Sequence, residues 1–222
     1  GQTYEVPAAA KDTVFGLGDI TLKYNETPVN AGTYLVNASI AAGTNYTAAE
    51  LYLGNLVINK ADPTIENLNF SIPTGVIYGK KYNVTFGVAD GVVGLENITL
   101  KYNGTAAAPV NAGTYLVNAS VEGTNYNATE LYLGNLVINK AELTKDDLII
   151  TPALPVSYEE ESAEAVVVAV KEGIFGNGTL TVKYGTSEDL PTVADIYKVN
   201  ATFAADGTNY TACEIYLGDM TI

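Results

Sequence analysis

The sequence predicts an all-β fold built from tandem antiparallel β-sandwiches. Three observations carry this: apolar and polar residues alternate with a period of two, turn residues punctuate the alternation, and the whole pattern recurs. Val29–Ser39, "VNAGTYLVNAS", returns letter for letter as Val110–Ser120, and a looser copy occupies Thr192–Thr202. "ITLKYN" begins at Ile20 and Ile98, with "LTVKYG" at Leu180; "GTNY" begins at Gly43, Gly123 and Gly207. The period is about eighty residues, the size of a domain and too long for one solenoid turn.

Within a copy the strands can be placed in order. Ile98, Leu100 and Tyr102 alternate with Thr99, Lys101 and Asn103, and Ile20-Leu22-Tyr24 and Leu180-Val182-Tyr184 keep the same parity. Tyr115, Val117, Ala119 and Val121 share one face of the next strand, matched by Tyr34-Val36-Ala38-Ile40 and Tyr197-Val199-Ala201-Phe203. Successive side chains of a strand point to opposite faces, so these are half-buried antiparallel strands. Further strands are predicted over Asn67–Ile72, Tyr82–Ala89 and Leu131–Asn139, with a bulge or bend at Gly134-Asn135. Gly91 and Gly94, matched by Gly173 and Gly176, and Asn103-Gly104 with Pro109 mark turns.

Five or six one-faced strands per copy must bury their apolar sides on each other. The "AGTY" motif makes the expectation more specific. A Tyr opening a late strand of an immunoglobulin-like sandwich anchors a corner through its hydroxyl, and Tyr34, Tyr115 and Tyr197 stand at that place. The fold expected is therefore a series of immunoglobulin-like antiparallel sandwiches in an elongated rod. Three domains follow: 1–61, an incomplete repeat lacking its first strand; 62–141, a complete repeat; and 142–222, a complete and more divergent one. Gly1–Tyr4 aligns with Gly79–Tyr82, so nothing in the first copy answers Asp62–Tyr78; either its unpaired edge invites strand addition from another chain, or, more plainly, the sequence is a piece of a longer array. The joints "INKADPT" and "INKAELT" are short and extended, predicting stiff connections and a rod on the order of 90 Å.

"ITLKYNGT…APVNAGTYLVNASVEGTNYNA…LYLGNLVINKA" resembles the MBG (mostly-β, glycine-rich) repeats of microbial surface proteins. The likeness covers nearly the whole chain and rests on turn and strand signatures. It implies stalk or adhesin modules outside the cell with no catalytic residues. The third copy departs from the pattern: Ala194-Asp195-Ile196-Tyr197 replaces "AGTY", and Tyr184-Gly185-Thr186 is expected to shorten a turn.

Composition narrows the function classes. A net charge of −14 with eleven basic residues disfavours nucleic acid and anionic lipid as partners. No apolar run reaches the ~20 residues of a bilayer span, and no signal peptide opens the sequence. The absence of histidine removes Ser/His/Asp, Cys/His and His-metal sites. No Gly-rich phosphate loop is found. The single Cys213 reads as a small strand residue where other copies carry Ala49 and Thr129. Glu159–Glu164 and Lys145–Asp147 lack the spacing that wraps Ca²⁺ and read as charged edges. No catalytic, cofactor or metal residue is assigned.

Three polar patterns remain. Asn-x-Ser/Thr occurs at Asn25, Asn37, Asn45, Asn69, Asn83, Asn97, Asn103, Asn118, Asn127, Asn177, Asn200 and Asn209, either as glycan acceptors or as ordinary turn and strand residues. Tyr46, Tyr126 and Tyr210, with Tyr52, Tyr132 and Tyr216, recur in register; recurrence favours core or corner roles over an exposed sugar-stacking row. Lys23, Lys101 and Lys183 share one outward place, and Asn37, Asn118 and Asn200 another. A Lys–Asn isopeptide bond needs an acid beside both; none is read to recur there, so exposed polar positions are expected. The functional expectation is a non-catalytic stalk or adhesin segment of a secreted or surface-anchored protein. The alternative is a module binding glycans or a cell-surface protein through the third copy, at Gly173–Thr179 and Thr186–Val193.

Overall fold

The computed structural model describes residues 6–159, 162–172, 174, 178–205 and 207–222. Expectations resting on Gly1–Tyr4, Glu160, Glu161, Gly173, Gly176 and Asn177 lie outside these. The first copy contributes one antiparallel sheet, ordered β1 (Ile20–Tyr24), β2 (Gly32–Ile40), β3 (Ala49–Ile58). The middle copy contributes β4 (Leu68–Ser71), β5 (Val76–Ile77), β6 (Thr85–Val88), β7 (Asn97–Tyr102), β8 (Gly113–Glu122) and β9 (Thr129–Asn139). The third contributes β10 (Leu148–Thr151), β11 (Val156–Ser157), β12 (Val167–Val170), β13 (Thr179–Tyr184), β14 (Ile196–Ala204) and β15 (Cys213–Thr221). One-turn 3-10 helices at Ile65–Asn67 and Lys145–Asp147 are the only helical elements among the described residues. The fold is all-β, in tandem repeats.

Contacts along the chain group it into two compact units that cut across the copies. One is Gly1–Ser71, Thr85–Ala106 and Val117–Leu133; the other is Ile72–Val84, Ala107–Leu116 and Gly134–Ile222. In the first unit, β4 pairs with β6 and β7 with β8, both antiparallel. In the second, β10 pairs with β12, and a four-stranded sheet runs β11-β15-β14-β13. The short β5 and β11 each lie parallel to the last strand of their copy, through Val76↔Ile138 and Val156↔Met220. The middle copy thus repeats the same order, β5-β9-β8-β7, beside its two-stranded sheet.

The third copy shows how the layers hold together. Val199, Ala201 and Phe203 of β14 and Leu217 and Met220 of β15 are 0–1% exposed, and Leu148 of β10 with Val166 covers them in one apolar cluster. Lys198, Asn200 and Thr202 alternate with that row and face outward, as the period of two demands. Fully burying a side chain such as Leu217 contributes roughly 1.5–3 kcal/mol. Among the described residues the first copy shows β1–β3 and no counterpart of β4 or β5. There Leu51 and Leu53, at the places of Ile215 and Leu217, are 51% and 50% exposed.

Two local features match expectation in detail. A bulge stands at the places equivalent to Gly134-Asn135 in the first and third copies: Val36 pairs with Gly54 and Asn37 with Tyr52, leaving Leu53 over, and Val199 pairs with Gly218 and Asn200 with Tyr216, leaving Leu217 over. Gly54, Gly134 and Gly218 take φ of +130°, +139° and +143°, which only glycine adopts without strain. The tyrosine corners are present too. The hydroxyls of Tyr34, Tyr115 and Tyr197 donate to the carbonyls of Asn30, Asn111 and Val193, four residues upstream, at 2.8, 2.8 and 3.0 Å. Tyr197 keeps this bond although its motif has diverged. The turn after β13 is not shortened: Tyr184 pairs with Ser187 as Tyr102 pairs with Thr105, so each spans two residues.

A matched pair of substitutions tests the layering. Leu217→Ala is expected to destabilise the protein by about 2–5 kcal/mol, and Leu53→Ala, at the same place in the first copy, by less than about 1 kcal/mol. Urea unfolding of both variants compares the two losses directly.

Candidate functional site

The outward face of each main sheet brings together residues that sequence reading kept apart. Lys23 pairs across strands with Asn37, Lys101 with Asn118, and Lys183 with Asn200. A carboxylate of the third strand, Glu50, Glu130 or Glu214, meets one or both of them in every copy. Lys101 Nζ donates to Glu130 Oε2 at 2.8 Å while Asn118 Nδ2 donates to Glu130 Oε1 at 2.7 Å. In the third copy Asn200 Nδ2 donates to Glu214 Oε1 at 2.7 Å, and in the first Lys23 Nζ lies 3.9 Å from Glu50 Oε1. An acid does stand at the same place in all three copies, and in the middle copy it meets both the Lys and the Asn. Glu50 pairs with Ser39 and Glu214 with Thr202, one diagonal step from the Asn, a displacement that linear alignment does not display.

Composition fits a Lys–Asn amide bond, but the electrostatics oppose it. Condensing a Lys amine onto the Asn carboxamide releases ammonia and needs an acid with a proton to lend. Hydrogen bonds from Lys101, then Asn118, hold the Glu130 carboxyl below its ordinary range, so it stays ionised. Asn118 Oδ1, the oxygen an acid would have to protonate, is buried without a hydrogen-bond partner. The cluster is an ion pair with a carboxamide spacer on a sheet face.

The tyrosines divide. Tyr210 is 7% exposed and packs edge-on against Phe203 and Tyr78, with ring centroids 6.1 and 5.4 Å away. Tyr126 is half-buried and Tyr46 is 46% exposed. The core role predicted for the second set is corrected: Tyr52, Tyr132 and Tyr216 are 62%, 55% and 53% exposed, on the outward face beside the Lys–Asn rows. Tyr52 donates to Asn55 Oδ1 at 2.8 Å and Tyr216 to Asp219 Oδ1 at 2.6 Å. The bond to Asp219 raises the Tyr216 pKa.

The acidic segments hold local structure. Asp147 Oδ2 accepts from Thr144 N and Oγ1, both at 2.8 Å, and caps the 3-10 helix that the sequence reading took for a charged edge. Among the described residues no group of three or more His, Cys, Asp or Glu is placed to hold a metal. Cys213 opens β15, half-buried, its thiol 3.8 Å from the Leu143 carbonyl oxygen. No helix of the described residues is long and apolar enough to cross a membrane. An open cleft of about 320 Å³ lies among Lys60, Glu96, Asn97, Glu122 and Tyr126. Its polar groups bond to their neighbours: Thr124 Oγ1 to Glu96 at 3.1 Å, Asn97 Nδ2 to Glu122 at 3.2 Å.

Of the Asn-x-Ser/Thr asparagines, Asn25, Asn45, Asn69, Asn83, Asn97, Asn103 and Asn127 are exposed, and Asn37, Asn118, Asn200 and Asn209 half-buried. Asn118 and Asn200 spend their amide on a glutamate, and Asn209 donates to Asn111 Oδ1 at 3.1 Å.

A family model described as the MBG domain matches residues 2–62 and 82–142. No curated protein and no solved structure matches the chain.

Two outcomes follow from the Lys–Asn–Glu cluster. A folded carboxyl below its ordinary range contributes stability that is present above the unfolded value, near 4.5, and is lost as pH falls through the folded value. Wild type should therefore exceed E130Q in urea midpoint at pH 7, with the gap closing on acidification toward pH 3. The intact mass of the folded protein should equal that of the unlinked chain, without loss of ammonia. A deficit of one ammonia per copy in electrospray spectra contradicts the ion-pair assignment.

Proposed function

The chain belongs to the MBG domain family, and from that premise we propose that it is a non-catalytic segment of a secreted or surface-anchored microbial protein, serving as stalk or adhesin. The carrying observation is the tandem match itself, on copies whose recurring residues go into core rows, corners and bulges. Corner tyrosines and the glycines of the last strand are needed by every copy of a structural module. A reaction centre is needed once. The acidic, polar outward faces suit a module that stands in water without self-association. Its work is geometric: domains in series, joined without flexible linkers, set a distance.

One observation favours a second reading. Tyr52, Tyr132 and Tyr216 are exposed in all copies with their hydroxyls or neighbours hydrogen-bonded, so each sheet presents an oriented ring beside amide and carboxylate groups. Such a face can stack on a sugar or a protein side chain. It is spread over the copies and is not confined to the third.

Protease applied to intact cells of the source organism should remove these repeats before the cytosolic proteins are touched; protection until lysis refutes the surface reading. Binding of the whole chain to a glycan array, lowered in the triple variant Y52A/Y132A/Y216A, supports the second reading, and no binding by the wild type removes it.

A further inference from the structure

The "GTNY" loop is a turn signature in the sequence, but its asparagine reaches beyond its own copy. Asn125 Oδ1 accepts from Ala31 N at 2.7 Å, and Asn125 Nδ2 donates to Asn30 Oδ1 at 3.0 Å; both partners lie in the corner turn of the copy before. The backbone continues the contact. Ala61 N donates to Asn125 O and Asn127 N to Ala61 O, each at 2.9 Å, and Lys60 Nζ donates to Gly123 O at 2.9 Å. The next joint repeats the arrangement with different residues. Asn209 Oδ1 accepts from Ala112 N at 2.8 Å, Asn209 Nδ2 donates to Asn111 Oδ1 at 3.1 Å, Ala141 pairs with Asn209 and Thr211, and Lys140 Nζ reaches Gly207 O at 2.9 Å.

We propose that this loop is a latch with which each copy recognises the end of the preceding one, and that Asn125 and Asn209 are the positioning residues that set the joint. The partner each latch fits is a repeat end carrying an Asn-Ala turn next to an Asn-Lys-Ala strand end. Recognition is by hydrogen bonds: one carboxamide reads a backbone N–H and a second carboxamide, and the strand end docks by backbone pairing.

The half of the latch inside a copy forms without a neighbour. Asn125 Nδ2 donates to Val93 O and Asn125 N to Gly94 O, at 3.2 and 3.1 Å. In the first copy, which has no preceding repeat in this structure, Asn45 makes the same two bonds to Phe15 O and Gly16 O, at 3.1 and 3.2 Å. The side chain is held in place by its own loop and does not pay for ordering when it docks. Space is closed around it as well: a Cβ on Gly94 would stand 2.3 Å from Asn125 Nδ2, and one on Gly123 2.0 Å from Gly94 O. The third copy carries Val193 where Asn30 and Asn111 stand, so its end offers no such carboxamide to a following latch.

Amide hydrogen exchange by NMR on the whole chain tests this. In N125A, the amides of Ala61 and Asn127, whose backbone acceptors the substitution leaves intact, should exchange at least about tenfold faster, together with Ala31. The β7–β8 and β4–β6 amides should keep their rates. N209A should do the same at Ala141 and Thr211 only, N125D should fall between wild type and N125A, and N45A should change neither joint. N30A, which leaves the loop untouched, should reproduce N125A at Ala61. Unchanged protection at Ala61 and Asn127 in both N125A and N30A overturns the proposal, as does an equal rise throughout the β7–β8 amides, which would make the loop part of the domain fold and not of the joint.

Discussion

Val199, Ala201 and Phe203 lie along one side of β14 at 0–1% exposure, and so dry a row exists only because the chain supplies a second sheet to cover it. Most of the architecture follows from that requirement. The cover in the third copy is two strands, β10 and β12, with β11 closing the edge of the main sheet along β15. In the first copy, where no such strands stand among the described residues, the same sequence places are exposed: Leu51 and Leu53 stand half in water while Ile215 and Leu217 are dry. Their residues differ little. Burial is a property of the pair of sheets, and the strand alone does not determine it.

This separates what could be read in the sequence from what could not. Parity along a strand is local, so the inward rows, the outward lysines and asparagines and the special glycine of each last strand, Gly54, Gly134 and Gly218, were legible. The corner bonds were legible for the same reason, because donor and acceptor lie four residues apart. The Lys–Asn–Glu cluster was not, since its third member arrives from another strand at a diagonal offset created by pairing register. Tyr52, Tyr132 and Tyr216 were misjudged although the signal was present. They alternate with Leu51, Leu131 and Ile215, and parity alone places them outward.

Recurrence is ambiguous for a physical reason. A residue recurs in a tandem array if the fold needs it, if an outward face needs it, or if the contact between copies needs it. The corner tyrosines belong to the first class and the glutamates of the outward cluster to the second. The asparagines of "GTNY" belong to the third, and no alignment of copies separates these classes, because each copy meets the same neighbour. The compact units make the point in another way: both include pieces of the middle copy together with the copy those pieces touch.

Tyr46, Tyr126 and Tyr210 are the sharpest instance, because the residue is constant and its surroundings are not. Tyr210 has Tyr78 of the preceding copy at 5.4 Å and is nearly dry. Tyr126, the same residue in the middle copy, is half-buried. Tyr46, in the first copy, is 46% exposed. Exposure falls from the first copy to the third, where the ring of the preceding copy stands against it. An apolar ring whose burial depends on the copy before it couples adjacent domains in stability, so an interior copy of such an array is held on both sides while a terminal one is held on one.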